Sequence, residues 1–147
     1  MPKISEYHIQ KAFCIWLDGN RDKETGEWRN PPALAPGVEY WHTPNNAGRE
    51  QDAGLELKWS KEIGLRPGIH DLFFLRPTRF TEGVFGLLFG MEWKKPGGAQ
   101  PPNKQLSKAQ QLMHPRLIRA GLAASIVVDN LQDARAWCFF HGLTICA

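Results

Sequence analysis

Apolar residues near the start of the chain recur at helical spacing. Ile9, Ala12, Phe13, Trp16 and Leu17 share one face, and Ser5 stands where a cap belongs, so a first helix is predicted from Ser5 to about Leu17. From Asp18 to Pro36 the sequence is polar and rich in Gly, Asn and Pro, which predicts a long loop. Val38 to His42 has strand character, broken at Pro44, and Asn45-Asn46-Ala47-Gly48 reads as a turn. A helix is predicted over about Glu50 to Ile63, with Gly64 as its stop and Gly54 as an interior weakness. Asp71 to Arg76 is a short apolar run suited to a buried strand, Pro77 to Gly83 turns the chain, and Val84 to Lys94 is the clearest strand. After a loop from Pro96 to Pro102, Ser107 opens a helix that ends at Gly121. Ser125 to Val128 is another buried strand, and Asn130 caps a last helix running to about His141.

This order predicts an α/β fold with a mixed central sheet flanked by helices. The Asp71 and Val84 strands are too close in sequence for a helical crossover, so they pair as a hairpin and not as part of a regular βαβ repeat. The length of 147 residues suits one domain, 1–147.

Composition changes the picture little. The hydrophobic fraction is 42% and the charged fraction 22%, as in ordinary globular proteins. The N-terminus has no signal-peptide pattern and no apolar run is long enough to span a bilayer, so an intracellular, cytoplasmic protein without a membrane is expected. Cys14, Cys138 and Cys146 form neither a disulfide framework nor a CxxC site, and are expected to be reduced, mostly buried thiols. A net charge of +3 points only weakly towards nucleic acid, but its distribution says more. From Trp93 to Val128 there is no Asp or Glu, while Lys94, Lys95, Lys104, Lys108, Arg116 and Arg119 fall within that span. Such a stretch can follow a phosphate backbone or form a solvated basic face.

The chemistry concentrates in Asp71, Glu92 and Lys94. Side chains alternate along a strand, so Glu92 and Lys94 point to one face and Trp93 to the other. If the two strands form a hairpin, Asp71 at the start of the first lies beside the end of the second. Two carboxylates and an ammonium group then meet at one sheet edge. Paired carboxylates suit a hard cation such as Mg²⁺, which polarises a phosphoryl oxygen and activates water, and a lysine can orient that water or offset charge at phosphorus.

The ordered segments Gly64-Leu-Arg-Pro-Gly-Ile-His-Asp71-Leu, Met91-Glu-Trp-Lys94 and Leu106-Ser-Lys-Ala-Gln110 resemble the virus-type replication-repair nuclease (VRR-NUC) family, a branch of the PD-(D/E)xK nucleases. The resemblance extends to Glu6 and Gln10 on the first helix and to Pro44-Asn45, and so spans Glu6 to about Gly121. It implies a restriction-endonuclease-like core. Asp71 and Glu92, with Glu6 and the backbone carbonyl of Trp93, would hold Mg²⁺ or Mn²⁺. Lys94 would serve the attacking water, and Gln110 would lie beside the site. Asn45 would contact DNA, and the basic stretch offers Lys95, Lys104, Lys108 and Arg116 as further DNA contacts. A small stand-alone chain of this type implies a homodimer that cuts branched DNA such as Holliday junctions, in DNA repair and possible phage or prophage settings. One departure is His70, which stands where the pattern has proline; the expectation for it is a hydrogen-bonded structural histidine, with a place near the metal as the alternative.

Gly68 allows either a close backbone approach at the metal-binding aspartate or a simple turn. His8, His114 and His141 are expected to be partly exposed helix residues. Trp16 and Trp137 fit helix core faces, whereas Trp28, Trp41, Trp59 or Trp93 could stack on an unpaired base or be buried. No zinc-ligand spacing, phosphate-binding glycine loop or nucleophile-elbow signature is present. The alternatives to an endonuclease are a DNA-binding module that retains the fold without turnover, and a hydrolase of small phosphate esters.

Overall fold

A computed structural model describes residues 5–43, 68–80 and 83–147 of the chain. The expected turn at Asn45–Gly48, the helix over Glu50–Ile63, Gly64, Trp59 and Asn45 lie outside the described residues.

Helix α1 spans Glu6–Asp18 and starts as its sequence requires: the Ser5 side chain accepts from the His8 N–H, satisfying one of the free first-turn donors. Phe13 and Leu17 are fully buried, and Ile9 and Trp16 pack against the same core. Ala12, expected on that face, is exposed. The predicted loop after α1 contains a small antiparallel pair, β1 (Asn20–Arg21) and β2 (Trp28–Asn30). Local interactions close it: the Asp22 carboxylate accepts from the N–H groups of Glu24 and Thr25, and the Arg21 guanidinium lies 4.0 Å from the Trp28 ring centroid.

The central sheet has the order β3-β4-β5-β6. Its members are β3 (Glu39–His42), β4 (Leu72–Phe80), β5 (Gly83–Trp93) and β6 (Ala124–Val128). β3, β4 and β5 are antiparallel neighbours, whereas β6 runs parallel to β5. The sheet is therefore mixed, as expected. The hairpin is longer than its sequence suggested, because β4 continues through Pro77 and Thr78 to Phe80. The pairing of β3 ends at Leu75, so Pro77 lies on an edge of the sheet, where a missing N–H is tolerated.

The parallel β5–β6 crossover carries a 3₁₀ turn (Pro102–Lys104) and helix α2 (Lys108–Arg119). Ser107 and Gln110 form a reciprocal capping box at the start of α2. Asn130 caps helix α3 (Leu131–Phe140) through the Asp133 N–H.

The sheet separates two environments. On one face Phe13 meets Trp93 edge-on at 5.2 Å and Phe74 at 6.4 Å, and Leu72, Met91, Val128 and Cys138 complete the core. The alternate β5 positions Gly90 and Glu92 face α2, as the period of two requires. Among the described residues no helix is long and apolar enough to cross a membrane.

Candidate active site

Asp71 immediately precedes β4, and the register Leu72↔Met91 places it beside the end of β5. Trp93 and Thr43 hold it there. Its Oδ2 accepts from the backbone N–H of Trp93 at 2.8 Å, and its own carbonyl accepts from the Thr43 N–H at 2.9 Å. The Thr43 hydroxyl also donates to the carbonyls of His70 and Asp71. Thr43, the residue directly after β3, thus holds the backbone of the aspartate, while β5 holds its carboxylate.

Glu92 is 2% exposed, and its two carboxylate oxygens are in different situations. Oε1 accepts from Lys94 Nζ at 2.9 Å and from the Gln110 amide. Oε2 is buried without a hydrogen-bond partner among the described residues. Burial, then the charge of Asp71, pushes the Glu92 carboxyl up to about 7, against the opposing pull of Lys94.

Gln110, on the third residue of α2, links the helix cap to this carboxylate. Its Oε1 accepts from the Ser107 N–H and from Lys94 Nζ, each at 2.9 Å, while its Nε2 donates to Glu92. A carbonyl oxygen has two lone pairs and an amide nitrogen two protons, so Gln110 can make all three contacts at once. Lys94 is in turn fixed between Glu92 and Gln110, and its N–H donates to the Val128 carbonyl of β6.

Glu6 approaches from the start of α1. Its carboxyl is raised by burial and then by the charge of Asp71, and is lowered by Lys94, so it shares the field of the other three groups. It does not close around a common point with them: among the described residues no three His, Cys, Asp or Glu side chains form a metal-sized cluster. The donor set is nevertheless suited to a hard cation. Asp71 and Glu92 offer carboxylate oxygens, Oε2 of Glu92 being buried without a hydrogen-bond partner among the described residues, and Mg²⁺ commonly takes only one or two carboxylates while keeping several waters.

Lys95, Lys104, Lys108 and Arg116 are all exposed, on the β5–β6 crossover and on α2, and Asn45 lies outside the described residues. Trp93 is fully buried against Phe13, which removes it as a base-stacking candidate, whereas Trp28 and Trp41 are partly exposed. Of the cysteines only Cys138 is buried; Cys14 is intermediate and Cys146 exposed, and all three are free thiols.

Two histidines differ from expectation. His114 is buried, because the α2 face that carries Gln110 also carries, one turn on, the residue opposite His70. The two imidazoles stack at 3.9 Å between centroids and 14° between planes. His70 is not hydrogen-bonded as a structural histidine would be: both its ring nitrogens are buried without partners among the described residues. Burial, then the neighbouring His114, lowers its pKa to about 3. The only sequence signals for this pair are the four-residue step from Gln110 to His114 and the absence of a side chain at Gly90, beneath the His70 ring.

No family model matches the sequence, and neither does any curated protein. Among solved structures the chain is similar to a VRR_NUC domain protein, with a TM-score of 0.59 and 17% identity, over 100% of this chain and 96% of that one. With its mixed sheet, its flanking helices and that full-length match, the chain has the fold of a VRR_NUC domain protein.

Proposed function

We propose that the protein is a divalent-metal-dependent DNA endonuclease whose active centre is Asp71, Glu92 and Lys94. The observation that carries this reading is the Glu92 carboxylate, which is held at Oε1 by Lys94 and Gln110 and whose buried Oε2 has no hydrogen-bond partner among the described residues, beside a second carboxylate. An arrangement that only stabilised the fold would satisfy or remove such an oxygen, since burying an unmet polar group costs about 1–3 kcal/mol. The VRR_NUC name of the structural neighbour and the ordered segments around Asp71, Glu92 and Gln110 support the same reading.

Asp71 and Glu92 would hold Mg²⁺ or Mn²⁺, with Glu6 and the Trp93 carbonyl close by. A divalent cation supplies Lewis-acid polarisation of the scissile phosphoryl oxygen. The rest of the chemistry belongs to the chain. Lys94, fixed by Glu92 and Gln110, presents a positive charge where negative charge develops at phosphorus, and can orient the attacking water. Because that charge is held before substrate arrives, no reorganisation is needed during the reaction. Lys95, Lys104, Lys108 and Arg116 would bind phosphates and position the strand.

The substrate we propose is branched DNA, cut inside the cell by a homodimer whose two-fold symmetry matches that of a four-way junction. This extension rests on the family resemblance of the sequence. It is tested with labelled four-way junction and linear duplex of the same sequence, incubated with wild-type protein and Mg²⁺ or Mn²⁺. Faster cutting of the junction is expected. Equal cutting would remove the branched-DNA preference, and binding without cutting in either metal would favour a module without turnover.

A further inference from the structure

The short segment from Gly68 to Asp71 runs along α2 and touches it on successive turns. At the first contact there is no room for a side chain. A Cβ on Gly68 would lie 2.4 Å from the Ala109 carbonyl oxygen and 2.8 Å from the Gln110 nitrogen, and the φ of +83° is itself one that favours glycine. The backbone approached so closely is therefore that of the helix, at the residue whose side chain reaches Glu92 and Lys94. At the second contact, one turn along, His70 stacks on His114. The other side of the His70 ring lies against Gly90, where a Cβ would come within 2.8 Å of the imidazole. Gly90 is two residues before Glu92, on the same face of β5.

We propose that this segment is a clamp that sets the position of Gln110, with Gly68 and His114 as positioning residues for the reaction at Asp71, Glu92 and Lys94. The clamp rests on the reading of those three residues as the active centre. Its logic is geometric. Asp71 belongs to the strand layer and Gln110 to the helix layer, so their separation depends on how closely the two layers meet. Gly68 fixes that distance by backbone contact, and the His70–His114 stack fixes the tilt one turn away. Gln110 can then hold Glu92 and Lys94 in a single arrangement. Side chains that must be placed to within about 0.5 Å need this kind of support, because displacement by about 1 Å can cost about 100-fold in rate.

The test compares kcat and KM on the DNA substrate with Mg²⁺ for wild type, Gly68→Ala, Gln110→Ala and the double variant, with thermal melts to establish that each is folded. Gly68→Ala is expected to lower kcat by about 100-fold with little change in KM. In the Gln110→Ala background the same substitution should cost less than about 3-fold, because the group it positions has gone. Wild-type kcat in Gly68→Ala, or effects that multiply fully in the double variant, would overturn the clamp. Should Gly68→Ala not fold, His114→Ala and His114→Phe take its place. The phenylalanine, which keeps the stack, should stay within a few-fold of wild type while the alanine falls as Gly68→Ala would, and wild-type kcat in His114→Ala would overturn the proposal. A second readout needs no activity. The Gln110 side-chain amide signals in an ¹⁵N-labelled sample, identified by their loss in Gln110→Ala, should be protected from solvent exchange in wild type and exchange freely in His114→Ala. Protection in both would overturn the clamp, whereas failure of wild type to cut DNA in any metal would overturn the nuclease reading and leave this measurement to decide the clamp.

Discussion

The backbone N–H of Trp93 donates to Oδ2 of Asp71 at 2.8 Å, and this bond joins the two strands at the point where the side chains of Asp71, Glu92 and Lys94 emerge. Trp93 lies between Glu92 and Lys94 in sequence, yet its own side chain is buried on the opposite face against Phe13. One residue thus anchors the core with its indole and the aspartate with its backbone.

The burial of Glu92, beside the charge of Asp71, has a thermodynamic consequence. Glu92 is raised to about 7 from an ordinary 4.5, so above pH 7 its ionised form opposes folding. Glu92→Gln is therefore expected to raise the melting temperature at pH 8 without metal, by the equivalent of up to about 3 kcal/mol. Mg²⁺ should stabilise wild type, by about 2.7 kcal/mol at 100 times its dissociation constant, and should do so much less for Glu92→Gln. Thermal melts with and without Mg²⁺ check both statements.

The pH dependence of stability contains two opposed contributions. His70 is lowered to about 3 from 6.5, chiefly by burial, and His114 is lowered by burial and then by Lys94. Below pH 6.5 the unfolded chain binds protons that these rings take up less readily when folded, so their contribution weakens as the pH falls, by up to about 1.4 kcal/mol per pH unit for His70. Glu92 has the opposite sign. Between 4.5 and about 7 the folded state binds the extra proton, so acidification favours folding. Wild type should therefore lose less melting temperature from pH 7 to pH 5 than Glu92→Gln, which keeps the contributions of the histidines and of Glu6 but not that of Glu92. Parallel melting profiles for the two proteins would contradict this balance.

Trp93 is expected to contribute to stability and not to substrate binding. Trp93→Ala removes a fully buried side chain and should cost about 3–5 kcal/mol. Trp93→Phe, which refills most of the space, should leave DNA affinity unchanged when measured by fluorescence anisotropy at a temperature where both proteins are folded.

The exposed cations of the β5–β6 crossover and α2 should act through phosphates. Lys108→Ala and Arg116→Ala are each expected to weaken DNA binding to a similar degree for unrelated sequences, and to reduce the slope of log affinity against log salt by about 1. Titrations at several salt concentrations measure that slope.

Much of the site could be read in the sequence because its logic is local. Alternation within β5 put Glu92 and Lys94 on one face, and the short connection between the strands implied the hairpin that brings Asp71 to them. The caps at Ser5, Ser107 and Asn130 were legible for the same reason, since each pairs with an N–H three residues on. What could not be read depends on the approach of distant elements. Gly68 reads equally as a turn or a close contact in sequence, and it is the first turn of α2, packed against it, that makes it a close contact. The burial of His114 and its stack on His70 follow from helix docking, which carries no periodic signal. The extension of β4 through Pro77 was hidden because proline argues against a strand, and only the end of β3 at Leu75 makes it permissible.

Single-turnover cleavage of a labelled four-way junction in Mg²⁺, with wild type, Asp71→Ala and Lys94→Ala, measures what these side chains do. Wild type should cut, and each variant should cut at least about 100-fold more slowly while still binding the junction. Equal rates for the three proteins, or no cutting by wild type in Mg²⁺ or Mn²⁺, would contradict the assignment of Asp71, Glu92 and Lys94 as a nuclease active centre.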